Sequence, residues 1–398
     1  MDRLDRRLGP YLDGLRNTSN ERVLRAGLPG PGGTVRRRDR TLINFSSNNY
    51  LGLAGHPALI ERAREWAGLW GVGAGASRLV TGTFDLHERV EAKLAAFKGT
   101  EAALVFNSGY QCNSAVLPAL FDPDMLGAPP LVFTDRLIHA SMHHGCRSAG
   151  VRQIRFRHND LDHLDSLLKA HAGTAGVRFI LTESVFSMDG DRADLGGLAD
   201  IAERHDAFLY VDEAHATGVL GPKGAGLTGE IPGRVELIMG TFSKGLGGFG
   251  AFVACSRLMR AYLINRCAGF IYSTALPPAV LGAMDAALDL VPGMDAERER
   301  LAASAQVLRD ALHAAGIDTG ASASQIVPAM IGDAGAAVEA SRILEDNGIL
   351  GVAIRPPTVP AGASRIRFAL SAEHGPEQME TLLAAIPALL SVRARETP

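Results

Sequence analysis

A lysine held between hydroxyl side chains and glycines is the feature of this sequence best suited to covalent chemistry. Lys244 lies in the segment GTFSKG, residues 240–245, directly after an apolar run that predicts a buried strand. Hydroxyls and free backbone N–H groups suit a phosphate, and a lysine amine beside a phosphate suits a Schiff base with an aldehyde cofactor. The segment therefore predicts pyridoxal 5′-phosphate (PLP) on Lys244, with Thr241 and Ser243 next to the phosphate.

Two other interpretations of this segment compete with the PLP hypothesis. An isolated loop lysine is more often a solvated surface charge. Gly245, Gly247 and Gly250 also match the spacing G-x-G-x-x-G of a dinucleotide-binding turn. That turn needs an acidic residue about 20 positions further on, but no Asp or Glu occurs between Glu236 and Asp285. The nicotinamide interpretation is therefore disfavoured.

A carboxylate is needed to keep the pyridine nitrogen of PLP protonated, so that the ring can accept electrons. Asp212 follows the apolar run 208–211 and precedes Lys244 by 32 positions. Because Asp212 and Glu213 form a charged pair after a buried strand, they cost desolvation unless they meet a cation. A pyridinium is the predicted partner, and a pair of ordinary loop carboxylates is the alternative. His215 can hydrogen-bond the phenolic oxygen of the cofactor or serve as a structural histidine.

An imidazole that follows a strand can stack on the face of the pyridine ring, and His139 has that position. A metal site is the rival hypothesis, formed by His139, His143, His144 and Cys146. His139 and His143 are spaced i, i+4, but a structural zinc site needs four ligands and a second pair is not evident in the sequence. We therefore expect no metal.

Two further segments place polar groups after predicted strands. Ser108, Gly109 and Tyr110 open a helical stretch, and the N-terminus of a helix binds phosphate well. Tyr110 can also lie beside the ring, although an ordinary turn is the alternative. Glu183 and Ser187 follow another strand, where they can hydrogen-bond the cofactor or a substrate carbonyl.

A proline-rich segment at residues 353–362 contains Arg355 and Thr358. A stiffened arginine suits a bidentate contact with a carboxylate, and an amino-acid substrate has such a carboxylate. A surface arginine in a proline-rich loop is the alternative. The polar loop around Asn48 is another candidate binding element.

Short apolar runs that alternate with helical stretches predict the fold class. The runs occupy residues 103–106, 131–134, 177–182, 208–211, 235–239 and 249–254, and helices are predicted at 57–70 and 85–98. Runs without polar alternation suit strands that are buried on both faces. Alternating β and α units predict an α/β fold with a mostly parallel central sheet and helices on both faces.

The character of the sequence changes near residue 285, which predicts a second domain. Longer helices are predicted at 296–315 and 376–392, with strand-like runs at 327–331 and 364–370. We therefore predict an N-terminal helical or extended segment at 1–45, a large cofactor-binding domain at 46–288 and a smaller C-terminal α+β domain at 289–398.

The composition limits the classes of partner. The chain has 398 residues, 46% of them hydrophobic and 21% charged, and its net charge of −3 argues against a nucleic-acid partner. The four cysteines form no C-x-x-C pair, which is typical of a reducing compartment. The N-terminus has no apolar stretch of a secretory signal, and no apolar run is long enough to cross a bilayer. We therefore expect a cytoplasmic enzyme that binds neither nucleic acid nor membrane.

Six segments together resemble the α-oxoamine synthases, PLP enzymes of the aspartate-aminotransferase fold. They are SNNYLGL at 47–53, HAS at 139–141, VFSMDG at 185–190, DEAH at 212–215, TFSKG at 241–245 and YST at 272–274. The resemblance extends over residues 20–390 and keeps the order of the segments in the family. It implies a PLP-dependent transferase fold.

The resemblance also implies roles for individual residues. Lys244 holds the cofactor and removes the Cα proton of an amino acid, Asp212 faces the pyridine nitrogen, and His139 polarises a carbonyl. The resulting carbanion attacks an acyl thioester of CoA or acyl-carrier protein (ACP), and CO₂ leaves. In the family the site lies between two subunits, so we expect a homodimer in which Thr274 reaches the phosphate bound by the partner. Arg355 is expected near the carboxylate of the amino acid.

Segment 353–362 is most similar to the biotin-pathway branch of the family, which joins L-alanine to a pimeloyl thioester. Arg25 matches a substrate-contacting arginine of that branch. Glu213 stands where many members have Asp, and Ser243 stands where several have Gly. Glycine C-acetyltransferase, serine palmitoyltransferase and 5-aminolevulinate synthase are therefore rival branches. An aminotransferase and a non-catalytic PLP-fold subunit are rival hypotheses as well, and such a subunit is expected to lack Lys244.

Overall fold

The computed structural model describes residues 2–393, which form two compact units. One, here called the sheet unit, comprises Leu51–Ser187 and Arg192–Arg298. The other, the terminal unit, comprises the chain up to Tyr50, Met188–Asp191, and the chain from Glu299 onward. The domain limits at residues 45 and 288 stay predictions.

Helices and strands alternate through most of the chain. The strands are β1 (Leu28–Gly30), β2 (Thr34–Arg37), β3 (Arg40–Asn44), β4 (Ala102–Phe106), β5 (Leu131–Asp135), β6 (Gln153–Phe156), β7 (Arg178–Glu183), β8 (Ala207–Asp212), β9 (Leu237–Thr241), β10 (Ala251–Cys255), β11 (Ile326–Gly332), β12 (Ile349–Leu350), β13 (Ala353–Ile354) and β14 (Ser364–Ala369). The helices are α1 (Asp2–Asn17), α2 (Pro57–Trp70), α3 (Asp85–Lys98), α4 (Gly109–Leu120), α5 (Pro123–Leu126), α6 (Ala140–Ser148), α7 (Leu161–Ala170), α8 (Leu195–Arg204), α9 (Arg257–Arg266), α10 (Ala268–Ile271), α11 (Pro278–Leu290), α12 (Asp295–Ala314), α13 (Ala334–Asp346) and α14 (Pro376–Arg393).

The sheet unit contains a seven-stranded sheet with the order β4-β10-β9-β8-β7-β5-β6. Strands β5 to β9 run parallel, whereas β10 is antiparallel to both β9 and β4. The expected mostly parallel sheet with helices on both faces is therefore confirmed. Parallel strands end at the same edge of a sheet, and ligands of such folds bind beyond their carboxyl ends.

Three neighbouring strands of this sheet, β4, β10 and β9, are buried because their side chains are largely apolar on both faces. Every residue of β4, β9 and β10 is buried. Gly240 within β9 is required by its neighbour, since a Cβ at this position would lie 2.3 Å from the ring of Phe252 on β10. The absence of a side chain lets these two strands pack before the chain turns toward Lys244.

The terminal unit carries two smaller sheets. One has the order β1-β2-β3-β12, and the other has the order β11-β14-β13. Strands β1, β2 and β3 form an antiparallel meander, and β12 joins β3 in parallel. Helices α13 and α14 pack together in this unit, and their inner faces bury Ala340, Leu344, Leu382 and Leu389.

The strands and helices for which the sequence predicted bounds each lie within two residues of an observed element. The helices predicted at 57–70 and 85–98 match α2 and α3, and Gly99 caps α3 with a left-handed φ of 67°. Strand β6 was not predicted, because it is a four-residue edge strand of mixed composition in which only the last residue is buried. The strands β1 and β2 were not predicted either, because proline, glycine and arginine interrupt their few apolar residues, so that neither contains a sustained apolar run.

In the part of the chain that the structure describes, the helices are all too short or too polar to span a lipid bilayer.

Candidate active site

Four neighbouring parallel strands of the sheet unit end at the edge where the predicted site residues lie. Glu183 at the end of β7 pairs in register with Asp212 at the end of β8. Asp212 in turn pairs with Met239 on β9, two residues before Thr241. Hydrogen-bonded strands lie about 5 Å apart, so the register brings these side chains together at one edge of the sheet.

Lys244 contacts His215 directly. The Nζ atom of Lys244 lies 2.8 Å from Nε2 of His215, which is 5% exposed, and Lys244 itself is half-buried. The two loops that carry these side chains approach at glycines, because a Cβ on Gly218 would lie 3.0 Å from the backbone of Gly245. A nitrogen that can donate a proton and one that can accept it therefore lie next to each other.

Asp212 is buried, and both of its carboxylate oxygens accept hydrogen bonds. Oδ1 accepts from the backbone N–H of Ala214 at 2.9 Å, and Oδ2 accepts from the side-chain amide of Asn113 at 2.8 Å. A carboxylate has about four acceptor positions, so these contacts orient Asp212 and leave room for another donor. A pyridinium N–H is such a donor.

The charges of both Asp212 and Lys244 act on His139. The surrounding protein lowers the pKa of His139 below its ordinary value through desolvation, while Asp212 acts to raise it and Lys244 to lower it. One part of the imidazole is nevertheless open to solvent. A neutral ring with an open surface suits stacking on a flat partner.

Glu183 is buried and lacks a complete set of partners. Burial raises the pKa of Glu183 well above its ordinary value, and the neighbouring charge of Asp212 raises it further, although the charge of Lys244 opposes this. Its Oε1 has no hydrogen-bond partner within residues 2–393. Buried polar atoms are normally paired, so this oxygen indicates a missing ligand.

The candidate phosphate site lies at the first turn of α4. Ser108 caps this twelve-residue helix and accepts from the N–H of Gln111 at 3.2 Å. Gly109 approaches β9 closely, because a Cβ there would lie 2.8 Å from Cγ2 of Thr241. The buried hydroxyl of Thr241 has no hydrogen-bond partner among the described residues. A helix N-terminus beside an unpartnered hydroxyl fits a phosphate.

These observations together fit PLP. The orphaned oxygens of Glu183 and Thr241, the open part of His139 and the oriented carboxylate of Asp212 lie around Lys244, each with chemistry that the cofactor can satisfy. The other polar residues predicted in this unit lie less deep. Tyr110 and Ser243 are exposed, Ser187 is half-buried, and the hydroxyl of Tyr110 lies 3.0 Å from Nδ1 of His144.

The histidines of the rival metal hypothesis have separate partners. Nδ1 of His143 lies 2.7 Å from the amide oxygen of Gln153, and Nδ1 of His144 lies beside Tyr110. Burial raises the pKa of the Cys146 thiol to about 12. Among the residues that the structure describes, no group of three or more His, Cys, Asp or Glu side chains is arranged to hold a metal ion.

Thr274 lies away from the hydrogen bonds described above, on an exposed loop of the sheet unit. It forms an isolated bridge with Ser77, and its carbonyl accepts from the side chain of Asn107 at 3.0 Å. The glycine-rich segment 71–78 therefore lies beside Thr274. Large apolar side chains are exposed both in segment 71–78, at Val72, and just before Thr274, at Tyr272.

The remaining predicted site residues belong to the terminal unit. The guanidinium of Arg355 donates to the carbonyls of Ser19 and Glu21. Desolvation lowers the pKa of Arg355 from its ordinary value, and the neighbouring charges of Arg22 and Arg25 lower it further. Three arginines in one place attract an anion.

A cavity of about 550 Å³ lies next to these arginines, within the terminal unit. The cationic side chains that line it are Arg16, Arg25, Arg37, Arg342 and Arg355. Arg25 also pairs with Glu345 at 3.3 Å, and Thr358 accepts from Arg22 at 3.1 Å. The carboxylates of Glu21 and Glu345 also line the cavity.

Asn48 also lies in the terminal unit, where it is part of a hydrogen-bond network. Its Oδ1 accepts from the hydroxyl of Tyr50 at 3.0 Å and from both terminal nitrogens of Arg367 at 3.2 Å. These contacts hold the polar loop that the sequence predicted as a binding element.

Sequence reasoning did not single out two buried polar residues next to the site. Asn113 is 1% exposed and Ser141 is fully buried, and the two are joined by a hydrogen bond of 2.9 Å. The signal for Asn113 was present, because it falls in line with Val116, Leu117 and Leu120 on the apolar face of a helix. A polar residue on such a face needs a buried partner.

Comparison with known proteins agrees with this geometry. A family model described as aminotransferase class I and II matches residues 40–386. An 8-amino-7-oxononanoate synthase from Gluconacetobacter diazotrophicus is 57% identical, with 97% of each chain covered. A solved structure of SPT with PLP has a TM-score of 0.88 at 30% identity and covers 98% of this chain and 99% of that one.

A crystal structure of 8-amino-7-oxononanoate synthase from Francisella tularensis has a TM-score of 0.75 at 26% identity, covering 89% of this chain and 99% of that one. The family model and the full-length relatives extend over both units of this chain. The chain therefore belongs to the α-oxoamine synthase family of PLP-dependent acyltransferases.

Proposed function

We propose that this protein catalyses the decarboxylative condensation of L-alanine with a pimeloyl thioester, carried by CoA or ACP. The products are 8-amino-7-oxononanoate, CO₂ and the free thiol carrier, in biotin biosynthesis. The observation that carries the proposal is the convergence of Lys244, His215, Asp212 and His139 at one edge of the sheet. The names of full-length relatives at 57% identity and below support the choice of branch.

The cofactor would be held by side chains from four strand ends. Lys244 would carry PLP through its amine, Asp212 would accept a hydrogen bond from the ring nitrogen, and His215 would donate to the phenolic oxygen. Ser108, Gly109, Thr241 and Ser243 would hold the phosphate. Glu183, Ser187 and Tyr110 would line the ring. When bound, PLP supplies an electron sink next to the Cα atom of the amino acid.

Proton transfer at Cα is assigned to Lys244. Its Nζ lies 2.8 Å from Nε2 of His215, so an ammonium at Lys244 can donate to a neutral imidazole and keep the proton inside the site. General acid–base catalysis by a positioned amine contributes about 10²–10⁴-fold to a rate. Residues 213–219 around His215 are buried, which limits loss of the proton to water.

His139 would act on a substrate carbonyl. The pKa of its imidazole is lowered by desolvation, so the ring is neutral near pH 7 and can donate from one nitrogen only. A neutral donor polarises a carbonyl without pairing permanently with a substrate carboxylate. This suits both the attack on the thioester and the later loss of CO₂.

The arginines of the terminal unit would bind substrate carboxylates. Alanine has one carboxylate, and the pimeloyl group has another at its far end. Arg355 and Arg25 line one cavity, and Arg22 adds to the positive charge around Arg355. We assign Arg355 to the amino acid, and Arg25 with Asn48 and Thr358 to substrate contacts.

The active assembly is proposed to be a homodimer. A bridge between Ser77 and Thr274 joins two segments of the sheet unit. Large apolar residues are exposed on or next to these segments, namely Val72, Leu79, Val80 and Tyr272. Exposed apolar patches of this kind mark interfaces. A second copy covering this patch would place Thr274 next to the phosphate of the partner. We place the enzyme in the cytoplasm, in keeping with its free, buried cysteines.

Release of free thiol from the acyl carrier tests the proposal. Purified holoenzyme is mixed with each pair of an amino acid (alanine, glycine or serine) and an acyl-CoA (pimeloyl, acetyl or palmitoyl), and pimeloyl-ACP is tested in parallel. We expect alanine with a pimeloyl thioester to give the highest kcat/KM, and Lys244→Ala to abolish turnover. Serine with palmitoyl-CoA is the second candidate, because the TM-score to SPT exceeds that to the Francisella enzyme. Faster turnover of that pair would contradict the proposed branch.

A further inference from the structure

A buried amide, Asn113, connects two of the groups around the candidate site. It lies on α4, which packs against α6 at Gly145. A Cβ on Gly145 would lie 2.8 Å from the carbonyl oxygen of Asn113, so only glycine permits this approach. The close packing brings Asn113 next to Ser141, which lies in the first turn of α6 directly after His139 and Ala140.

The side chain of Asn113 makes three hydrogen bonds, and each partner is at least nine-tenths buried. Its Nδ2 donates to Oδ2 of Asp212 at 2.8 Å and to Oγ of Ser141 at 2.9 Å. Its Oδ1 accepts from the hydroxyl of Tyr210 at 2.6 Å. Ser141 Oγ lies in turn 2.6 Å from Nδ1 of His139. One chain of hydrogen bonds therefore runs from Asp212 to His139.

The direction of every proton in this chain follows from its two ends. The carboxylate of Asp212 only accepts, so Asn113 must face it with the amide nitrogen. The buried hydroxyl of Tyr210 then donates to the amide oxygen, and burial raises the pKa of Tyr210 well above its ordinary value, which keeps that proton in place. Both hydrogens of the amide nitrogen are used, one on Asp212 and one on Ser141.

The hydroxyl of Ser141 accepts from Asn113, so its own hydrogen is free to donate to His139. The backbone N–H of Ser141 points to Nδ1 of His139 at 3.3 Å, and only a nitrogen without a hydrogen can accept this bond, so Nδ1 is the acceptor for the hydroxyl as well. A neutral imidazole that accepts at Nδ1 carries its hydrogen on Nε2.

We propose that Asn113 is a positioning residue that orients the carboxylate of Asp212 and, through Ser141, holds His139 as the tautomer protonated on Nε2. The inference deepens the proposed function, since this tautomer directs the only N–H of the ring away from α6. One amide thereby couples the carboxylate meant for the ring nitrogen to the donor meant for the substrate carbonyl. Polar contacts of this kind set which nitrogen of a histidine is protonated.

The experiment that tests the inference reads the tautomer directly. Holoenzyme labelled with ¹⁵N-histidine is studied by NMR at neutral pH, and the His139 signals are identified by their loss in His139→Asn. In the wild type we expect the hydrogen on Nε2. A hydrogen on Nδ1 in the wild type would overturn the proposal, whichever substrate the enzyme uses.

The decisive variant is Asn113→Asp, which replaces the donor facing Ser141 by an oxygen of similar shape. Whether or not the new carboxyl shares a proton with Asp212, the hydroxyl of Ser141 would donate to it and would accept from His139. We expect the hydrogen of His139 to move to Nδ1, and kcat to fall roughly tenfold to a hundredfold because an oriented buried hydrogen bond is lost. An unchanged tautomer in the folded variant would overturn the proposal.

Ser114→Asp is the matched control, because it adds the same charge one residue further along α4, and Ser114 contacts only the carbonyl of Gln111 at 3.2 Å among the bonds described. It should leave the tautomer as in the wild type.

Should Asn113→Asp fail to fold, Ser141→Ala provides the test, since it removes the hydroxyl that links Asn113 to His139 and keeps the contact between Asn113 and Asp212. The backbone N–H at position 141 still points to Nδ1 of His139, so we then expect the Nε2–H tautomer to remain the major one, with the Nδ1–H tautomer detectable beside it and PLP content unchanged. A single Nε2–H signal would contradict the proposed link. If the tautomer changed in Asn113→Asp but the wild-type enzyme did not turn over pimeloyl thioesters, the proposed substrate would be wrong and this inference would still hold.

Discussion

Replacing Asp212 by asparagine removes its charge with little change in the shape of the side chain. Its two oxygens already accept hydrogen bonds from Ala214 and Asn113, so the side chain is held in place independently of any cofactor. An asparagine has nearly the same shape but no charge, and its amide nitrogen would face one of these two donors. The role proposed for Asp212 depends on its charge, because a protonated pyridine nitrogen needs an ionised partner.

We therefore expect Asp212→Asn to lower kcat by about 10²–10⁴-fold while the protein stays folded and binds PLP more weakly. The measurement is the rate of thiol release, together with the PLP content of the purified protein. The matched control is Asp206→Asn, an exposed aspartate just before the other end of β8. Equal losses in both variants, or none in Asp212→Asn, would contradict the proposed role.

At the scale of elements, a buried ion pair joins the end of α3 to the segment after β8. Nζ of Lys98 lies 2.5 Å from Oε2 of Glu213, and both side chains are fully buried. Glu213 also accepts from the backbone N–H and the hydroxyl of Thr228, at 2.9 and 2.7 Å. The pair thus holds the chain directly after Asp212 against a helix.

Removing one partner of this pair should be costly, since it leaves an unpaired buried charge. We expect Lys98→Met to lower the free energy of unfolding by about 3–5 kcal/mol, and the double variant with Glu213→Gln to regain part of that loss. Urea denaturation measures both. Lys169→Met, which breaks a surface pair with Asp165, should change stability by no more than about 1 kcal/mol. If Lys98→Met changed the free energy of unfolding as little as Lys169→Met does, the prediction that the buried pair is important for stability would be wrong.

The contact between β9 and β10 gives a second prediction at this scale. A Cβ on Gly240 would lie 2.3 Å from the buried ring of Phe252, so Gly240→Ala should destabilise the protein by about 1–3 kcal/mol through overpacking. Gly68→Ala on α2 is the control, because nothing lies within 4 Å of the added carbon. It should stabilise by about 0.5–1 kcal/mol, since glycine is unfavourable in a helix. Thermal unfolding of both variants measures the difference, and equal effects would contradict the steric argument.

At the scale of the whole molecule, two buried histidines make stability depend on pH. Burial lowers the pKa of His87 in the sheet unit and of His374 in the terminal unit from 6.5 to about 4. Between these values the unfolded chain takes up protons that the folded protein does not. Their contribution to stability is therefore present above pH 6.5 and is lost as the pH falls toward 4.

We expect each of these histidines to remove about 2 kcal/mol of stability between pH 7 and pH 5. His87→Gln and His374→Gln keep an acceptor for the N–H groups of Phe84 and Ser371 but do not titrate. Urea denaturation at both pH values should show a smaller loss in each variant than in the wild type. The same loss in wild type and variants would assign the acid sensitivity to other groups.

Much of the candidate site could be predicted from the sequence, because its residues lie where local patterns change. Lys244, Asp212 and Glu183 each follow a continuous apolar run, and such runs predict buried strands whose ends meet at one edge. The helices α2 and α3 could be predicted for a similar reason, since the signals of their start and end lie within a few residues. Strand ends and helix boundaries are determined by residues that lie close together in the sequence.

Only the tertiary structure revealed which distant side chains meet. Lys98 and Glu213 are 115 positions apart, and Asn113 and Asp212 are 99 positions apart, so no periodicity connects either pair. The antiparallel direction of β10 and the edge strand β6 likewise depend on pairing between distant segments. The sequence alone determined the chemistry that each strand end carries, because composition and spacing are local. The packing of helices and strands decided how those groups orient one another, because that depends on contacts between residues far apart in the chain.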